Sequence, residues 1–269
     1  MKKLGLCLGS GAWRGLAHIG VIKSLVKHQI KIDYIAGSSV GSLFGGFFAA
    51  WQDIERLEKT IQEFNYKKLL EILSDPYLHS GLIKGEKLQA FFNDLLSSCK
   101  IEDLPIAFIA TATDLLASEP FYFEKGNLAQ GIRASISVPF AFTPVKFQHK
   151  LLVDGGLTQP VPIGILRQKG AEVVLAVELY TQNFPFQHDI EKLSFLEITR
   201  ISQTAMLAQI ARRDMIKADL LLTPKLDDDW SNPIDLFKKF LDNQATATIN
   251  IGEKIMDENI DKLFNLLHD

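Results

Sequence analysis

Three short stretches of this chain hold residue types that could carry out nucleophilic chemistry. In the first, Gly37-Ser38-Ser39-Val40-Gly41, a hydroxyl sits between two glycines in a G-x-S-x-G pattern. An apolar run from Ile32 to Ala36 reads as a strand before it, and Ser42 to Trp51 reads as a helix of small and aromatic residues after it. A strand–turn–helix corner of this kind is too sharp for bulk at its flanks, hence Gly37 and Gly41. It lifts the Ser39 hydroxyl clear of a sheet at a helix N-terminus, where the dipole favours a developing anion. The lesser alternative for the same serine is a helix N-cap.

The second stretch is Gly9-Ser10-Gly11-Ala12-Trp13-Arg14-Gly15, between a strand and a helix. Backbone amides in such a loop can point at an anion, either a phosphate or an oxyanion. A dinucleotide site wants G-x-G-x-x-G and an acidic residue about 20 positions on, at the end of the second strand. Here the spacing is G-x-G-x-x-x-G, the second strand ends in Gly37-Ser38-Ser39, and Asp33 precedes it, so the nucleotide reading is disfavoured. Arg14 adds a cation that can order the loop, meet a lipid phosphate or sit in a surface ion pair. The third stretch is Val153-Asp154-Gly155-Gly156, a carboxylate at the end of an apolar strand. An isolated D-G-G is an Asx-type turn.

A serine nucleophile usually hands its proton to histidine. The six histidines, His18, His28, His79, His149, His188 and His268, have no distinctive context. His18 reads as packed on the first helix. A Ser–Asp pair is the simpler reading. It works if the hydrogen bond is short, the site dry and the oxyanion well held.

The elements that must position these groups read as follows. Leu4 to Leu8 is a strand and Leu16 to His28 a helix with apolar spacing, so the second strand closes a βαβ unit and a parallel sheet is expected. Asp53 to Glu63, Tyr66 to Leu73 and Lys84 to Ser98 read as helices, making about 52–100 a helical insertion, for most of which plain connection is favoured over a lid. Ile106 to Thr113 and Val173 to Glu178 read as buried strands and Pro120 to Glu124 as a further, antiparallel candidate. Leu128 to Ser137 and Pro162 to Lys169 read as helices, and Val145 to Phe147 with Leu151 to Val153 as a hairpin. Ile190 to Lys217 reads as a long helix, Ala218 to Thr223 as a last strand, 225–244 as loop, and Ala245 to Leu267 as one amphipathic helix. The expectation is a single domain over 1–269, α/β, a three-layer α/β/α sandwich with a mainly parallel central sheet. Its motif-bearing core is 4–180 and its C-terminal helical part about 187–269.

Composition bounds the partners. A net charge of -3 and a pI near 6.1 give no general basic field for nucleic acid. Eighteen phenylalanines against five tyrosines suggest a Phe-rich core, with an apolar acyl pocket as the functional alternative. Cys7 and Cys99 make no disulfide framework, which suggests a reducing compartment. The N-terminal apolar run is too short and Gly-rich for a signal peptide, and no run of about 18 apolar residues exists. A cytoplasmic protein with room for peripheral membrane contact is expected. No metal or other cofactor is expected, since no H-E-x-x-H or clustered carboxylate pattern appears.

Together the three stretches resemble the patatin-like phospholipase family. The loop from Gly9 through Val21 is similar to its oxyanion block, Gly37 to Gly41 to its elbow, and Asp154-Gly155-Gly156 to its Asp-Gly-Gly/Ala block. Ile132-Arg133-Ala134-Ser135-Ile136-Ser137-Val138-Pro139 resembles a fourth block. The order agrees from residue 4 to about 180, and the form of the loop is most similar to the bacterial subgroup related to neuropathy target esterase. The resemblance implies Ser39 as nucleophile and Asp154 as base, an oxyanion hole in the loop residues Gly9, Gly11, Ala12, Trp13, Arg14 and Gly15, with the Gly11 to Arg14 amides binding the anion, and hydrolysis of lipid acyl esters. Trp13 departs from the small residues common beside the hole and leaves substrate size open. The alternatives are a soluble short-chain esterase, thioesterase or acyltransferase with the same pair. A non-catalytic adaptor is disfavoured because Ser39, Asp154 and the loop are all intact.

Overall fold

The computed structural model describes residues 1–64, 66–77, 81–181, 193–226 and 244–269. Strand β1 (Leu4–Leu8) alternates its side chains, and both faces are buried. Leu4, Leu6 and Leu8 join one core cluster and Cys7 the other. Such two-sided burial selects a parallel strand covered on both faces. β1 pairs in parallel with β2 (Tyr34–Ser38) and with β7 (Val173–Val177); β2 pairs in parallel with β3 (Ala107–Asp114), and β7 with β8 (Leu220–Leu222). Three antiparallel strands extend the sheet beside β3: β4 (Glu119–Phe123), β5 (Val145–Phe147) and β6 (Lys150–Asp154). The sheet is therefore mixed: among the described residues, five parallel strands with three antiparallel ones.

Helices cover both faces, giving the expected three layers. On one side lie α1 (Leu16–Lys27), α2 (Val40–Trp51), α3 (Ile54–Gln62), α4 (Tyr66–Ile72), α5 (Glu86–Leu95) and α6 (Leu128–Ser135). On the other lie α7 (Ile163–Gln168) and α8 (Phe195–Met215), over Cys7, Ala36, Ile109, Val174 and Ala176. α2 is apolar nearly all round because it is sandwiched between sheet and insertion. Phe44, Phe47 and Phe48 are buried, and Phe47 meets Phe92 of α5 edge-on at 5.6 Å. Each such side chain contributes roughly 1.5–3 kcal/mol over exposure.

β2 and α2 each differ from the expected bounds by two residues. β2 starts at Tyr34 because the Asp33 carboxylate already accepts the Leu4 amide at 2.9 Å, which sets the pairing of Tyr34 with Gly5. The single C-terminal helix expected over Ala245 to Leu267 is two helices, α9 (Gln244–Asp257) and α10 (Ile260–His268). The chain turns at Asn259, so that Met256 of α9 and Leu263 and Leu267 of α10 all reach the core. The Leu267 carbonyl then accepts the Lys2 amide at 2.9 Å. His79, His188, part of the expected helix from Ile190 and most of the expected loop over 225–244 lie outside the described residues. Among the described residues no helix is long and apolar enough to cross a membrane.

α9 lies directly on α1. A Cβ on Gly20 would stand 1.9 Å from the Ile249 carbonyl, and one on Gly252 2.0 Å from the Ala17 carbonyl. Backbone touches backbone at this crossing, and a side chain would force the helices apart. Gly20→Ala or Gly252→Ala is expected to cost about 1–3 kcal/mol in a denaturation experiment. Gly164→Ala on α7, where an added methyl meets nothing within 4 Å, should instead be neutral or stabilising by up to about 1 kcal/mol.

Candidate active site

β3 has three partners and only two edges. β2 pairs along Ala107–Thr111 and β4 along Ala110–Asp114; these overlap, so they take opposite edges. β6 pairs along Ala112–Asp114, which overlaps β4, so β6 shares the edge of β2. β2 runs parallel to β3 and ends with Ser38 opposite Thr111. β6 runs antiparallel and ends with Asp154 opposite Ala112. The two strand ends therefore face each other along one edge. The residue after β2 is Ser39, and its Oγ donates to Asp154 Oδ2 at 2.6 Å. Thr111 is why Gly155 cannot carry a side chain: a Cβ there would lie 2.1 Å from the Thr111 carbonyl oxygen.

Ser39 sits on a strained corner, with φ 53 and ψ -125 at the N-terminus of α2. A non-glycine residue there costs on the order of 1–3 kcal/mol and needs support. Its amide donates to Ser135 Oγ at 2.9 Å, Ser135 Oγ donates to the Thr111 carbonyl at 2.6 Å, and the Ser39 carbonyl accepts Ser42 Oγ at 2.7 Å. The corner also requires its glycines: a Cβ on Gly41 would stand 2.0 Å from the Leu8 carbonyl, and one on Gly37 2.4 Å from the Ser42 amide.

Asp154 is nearly sealed from solvent, at 6% exposure. Its Oδ1 accepts the Gly156 amide at 2.7 Å, its own amide donates to the Ser137 carbonyl at 3.0 Å, and Thr113 Oγ1 donates to its carbonyl at 2.9 Å. Burial pushes its carboxyl up to about 6; the hydrogen bonds from Ser39 and Gly156 pull the other way and do not prevail.

The Gly loop packs against this pair. The Gly9 amide donates to the Val177 carbonyl at 3.0 Å and the Ser10 amide to the Pro160 carbonyl at 2.8 Å. Ala12–Gly15 form a 3-10 turn, opened by the Arg14 amide donating to the Gly11 carbonyl at 3.2 Å. Of the six loop residues expected to line an oxyanion hole, Gly9 and Arg14 thus have their amides engaged. The amides of Gly11 and Ala12 meet no acceptor among the described residues, and Ala12 lines the cavity beside Ser39. Arg14 is fully buried, its Nη1 donating to the Leu179 carbonyl at 2.8 Å and its guanidinium 5.7 Å from the Tyr180 ring. The surface and lipid-phosphate alternatives for Arg14 are therefore corrected: it orders the loop from within. His18 is packed as expected, with its Nε2 2.7 Å from the Gly9 carbonyl. Burial lowers its pKa to about 4, so the ring is neutral and donates Nε2–H.

A cavity of about 220 Å³ opens at Ser39. Phe44 and Phe47 of α2, Phe64 after α3, Phe91 and Phe92 of α5, and Phe142 contribute its aromatic walls. Among the described residues that line it, Ser39 and Thr60 alone carry hydroxyls. Plain connection is thus not the role of the 52–100 segment: its helices form one side of the chamber. The surplus of phenylalanine serves core and cavity together. Trp13 is buried in the core cluster and does not line the cavity, so it does not narrow it.

The fourth sequence block ties the chamber to the serine. Arg133, 2% exposed, donates to the carbonyls of Lys84 at 2.5 Å, Gly85 at 3.1 Å and Thr143 at 3.2 Å, and to Ser137 Oγ at 2.5 Å. Ser135 and Ser137, on the same short stretch, contact Ser39 and Asp154. Beyond their place in that block, the residue types alone assign these three no role. Their only signal was an arginine with two alternate hydroxyls behind it. Because Asp154 binds its proton more tightly folded (about 6) than unfolded (3.8), its charge opposes folding above pH 6. That cost disappears as pH falls from about 6 towards 4. Asp154→Asn is therefore expected to be more stable than wild type by up to about 3 kcal/mol at pH 8, with the gap closing near pH 4. Denaturation series at both pH values measure it.

The model of the patatin-like phospholipase family matches residues 6–167. An uncharacterised NTE family protein of Mycobacterium tuberculosis is 36% identical over 177 residues, covering 66% of this chain and 49% of that protein. The lysophospholipase NTE1 of Scheffersomyces stipitis is 31% identical over 181 residues, covering 66% of this chain and 12% of that protein. The match thus spans about half of the mycobacterial relative and a small part of the other. Among solved structures, VipD from Legionella pneumophila superposes with a TM-score of 0.61 at 13% identity, over 97% of this chain and 67% of that one. The type III effector ExoU superposes at 0.52 and 10% identity, over 97% and 53%. At such identities the two structures share the fold. With its family match spanning well over half of its length, the chain belongs to the patatin-like phospholipase family.

Proposed function

We propose that the protein is a lipid acyl-ester hydrolase of the phospholipase A or lysophospholipase type, working through Ser39 and Asp154. The observation that carries this reading is the 2.6 Å hydrogen bond from Ser39 Oγ to a buried carboxylate, at the mouth of an apolar cavity. Ser39 Oγ attacks the acyl carbonyl carbon as its proton passes to Asp154 Oδ2. The carbonyl oxygen becomes an anion facing the Gly11 and Ala12 amides and the positive end of α2. Collapse of the tetrahedral species breaks the ester C–O bond, and the proton on Asp154 goes to the departing oxygen. A water, deprotonated by Asp154, then attacks the acyl-enzyme and releases the fatty acid and the Ser39 hydroxyl. The apolar cavity suits the acyl chain. The name lysophospholipase borne by one relative agrees with a single-chain lipid ester.

The chemistry requires ionised Asp154, so kcat/KM is expected to rise with pH through about 6 and level off above it. Ser39→Ala and Asp154→Asn should each lower kcat by about 10³-fold or more. Hydrolysis of p-nitrophenyl esters of rising chain length tests both points. Equal rates for the three proteins would sink the pair, and preference for the shortest ester would favour a small-ester hydrolase over a lipid one.

A further inference from the structure

At the rim of the cavity two loops present large apolar side chains outward. Phe140 is 78% exposed and Leu82 59% exposed. The loops are stitched together by backbone hydrogen bonds, Leu82 N–H to Phe140 O at 3.1 Å, Ile83 N–H to Ala141 O at 3.0 Å and Thr143 N–H to Ile83 O at 2.9 Å. Arg133 clamps the same pair from beneath, through the Lys84, Gly85 and Thr143 carbonyls. Phe140 has φ 72, a left-handed conformation that a bulky residue adopts only when its surroundings hold it there. A pinned loop, a strained backbone and an outward ring together describe a presented side chain. Its neighbours Val138 and Phe142 line the cavity. Phe140 thus stands between two lining residues of the chamber that opens on Ser39, and one of them, Val138, is itself 39% exposed.

We infer that Leu82 and Phe140 form a docking edge that inserts into the surface of a lipid bilayer and sets the cavity mouth against it. Adjacency to the cavity selects this occupant: an acyl chain can pass from bilayer to chamber along this edge. Lys84 and Glu86, charged neighbours in sequence, pair with each other at 4.0 Å, so the edge works by apolar insertion and does not need anionic lipid. The inference rests on the acyl-hydrolase reading for its purpose and is separable from it by experiment.

The test compares wild type, the double variant Leu82→Ser/Phe140→Ser, and Phe140→Trp in co-sedimentation with phosphatidylcholine vesicles at low and high salt. Both positions are exposed, and unchanged thermal melting shows that the fold is kept. Wild type should bind at either salt, the double variant should lose at least about thirtyfold in partitioning, and Phe140→Trp should bind as well as wild type. Hydrolysis of a soluble monomeric ester should be the same in all three, while hydrolysis of vesicle-borne substrate falls in the double variant alone. Equal vesicle binding by wild type and double variant, or none by wild type, overturns the inference. So does a change of oligomeric state in sedimentation velocity without a change in vesicle binding, which would make the edge a contact between copies. Ester hydrolysis that is Ser39-dependent while binding is unmoved would remove the docking edge and leave the hydrolase. Vesicle binding that falls in the double variant of a protein hydrolysing no ester would do the reverse.

Discussion

Two strands that end against each other on one edge of β3 are the constraint from which the site follows. β2 climbs to Thr111 and stops; β6 descends to Ala112 and stops. Neither chain can continue along that edge, so each must turn out of the sheet where they meet. The turn out of β2 is the Ser39 corner, and the turn out of β6 is Asp154-Gly155-Gly156. Two residues 115 positions apart are thereby held at hydrogen-bond distance by strand pairing. Hydrogen-bonded strand register is stiff, and stiffness is what a short, buried donor–acceptor pair requires.

Burial gives that pair its chemical character. A carboxylate in water is a weak base for a hydroxyl, and a dry cleft makes it a stronger one. Asp154 gains basicity from burial, yet two donated hydrogen bonds keep it oriented. The chamber beside the pair opens at Ser39, and its described lining is almost wholly apolar. The same residues therefore act as core and as cavity wall. Phe47 and Phe92, packed edge to face, belong to both.

Arginine at two positions does structural work with charge buried. Arg14 and Arg133 are among the most buried large side chains, and their guanidinium groups serve main-chain carbonyls of loops that make no regular ladder. A planar, many-donor cation can satisfy several diverging carbonyls at once, which no neutral side chain can. Arg133 is the link between insertion and serine: its partners lie at the entry to α5 and after α6, and its helix carries Ser135 to the Ser39 amide.

The two residues that the strand ends bring together, Ser39 and Asp154, and the layer order were legible in the chain itself. Glycine at 37, 41 and 155 marks places where backbone passes backbone, and that steric demand is local enough to read as a motif. The apolar runs of β1 and β3, buried on both faces of the sheet, are likewise written in residue type. What the residues could not disclose were contacts between distant segments with no periodic signature. That the 52–100 segment walls a cavity, that Arg14 is buried, and that Gly20 and Gly252 let α1 and α9 touch all depend on which surfaces meet. The break at Asn259 has the same origin, since only the position of the core decides where a helix must bend to reach it. Local sterics are a property of a few neighbouring residues and can be read from them. Which amides remain free and which cation is enclosed are properties of the assembled sheet, and only the tertiary structure decides them.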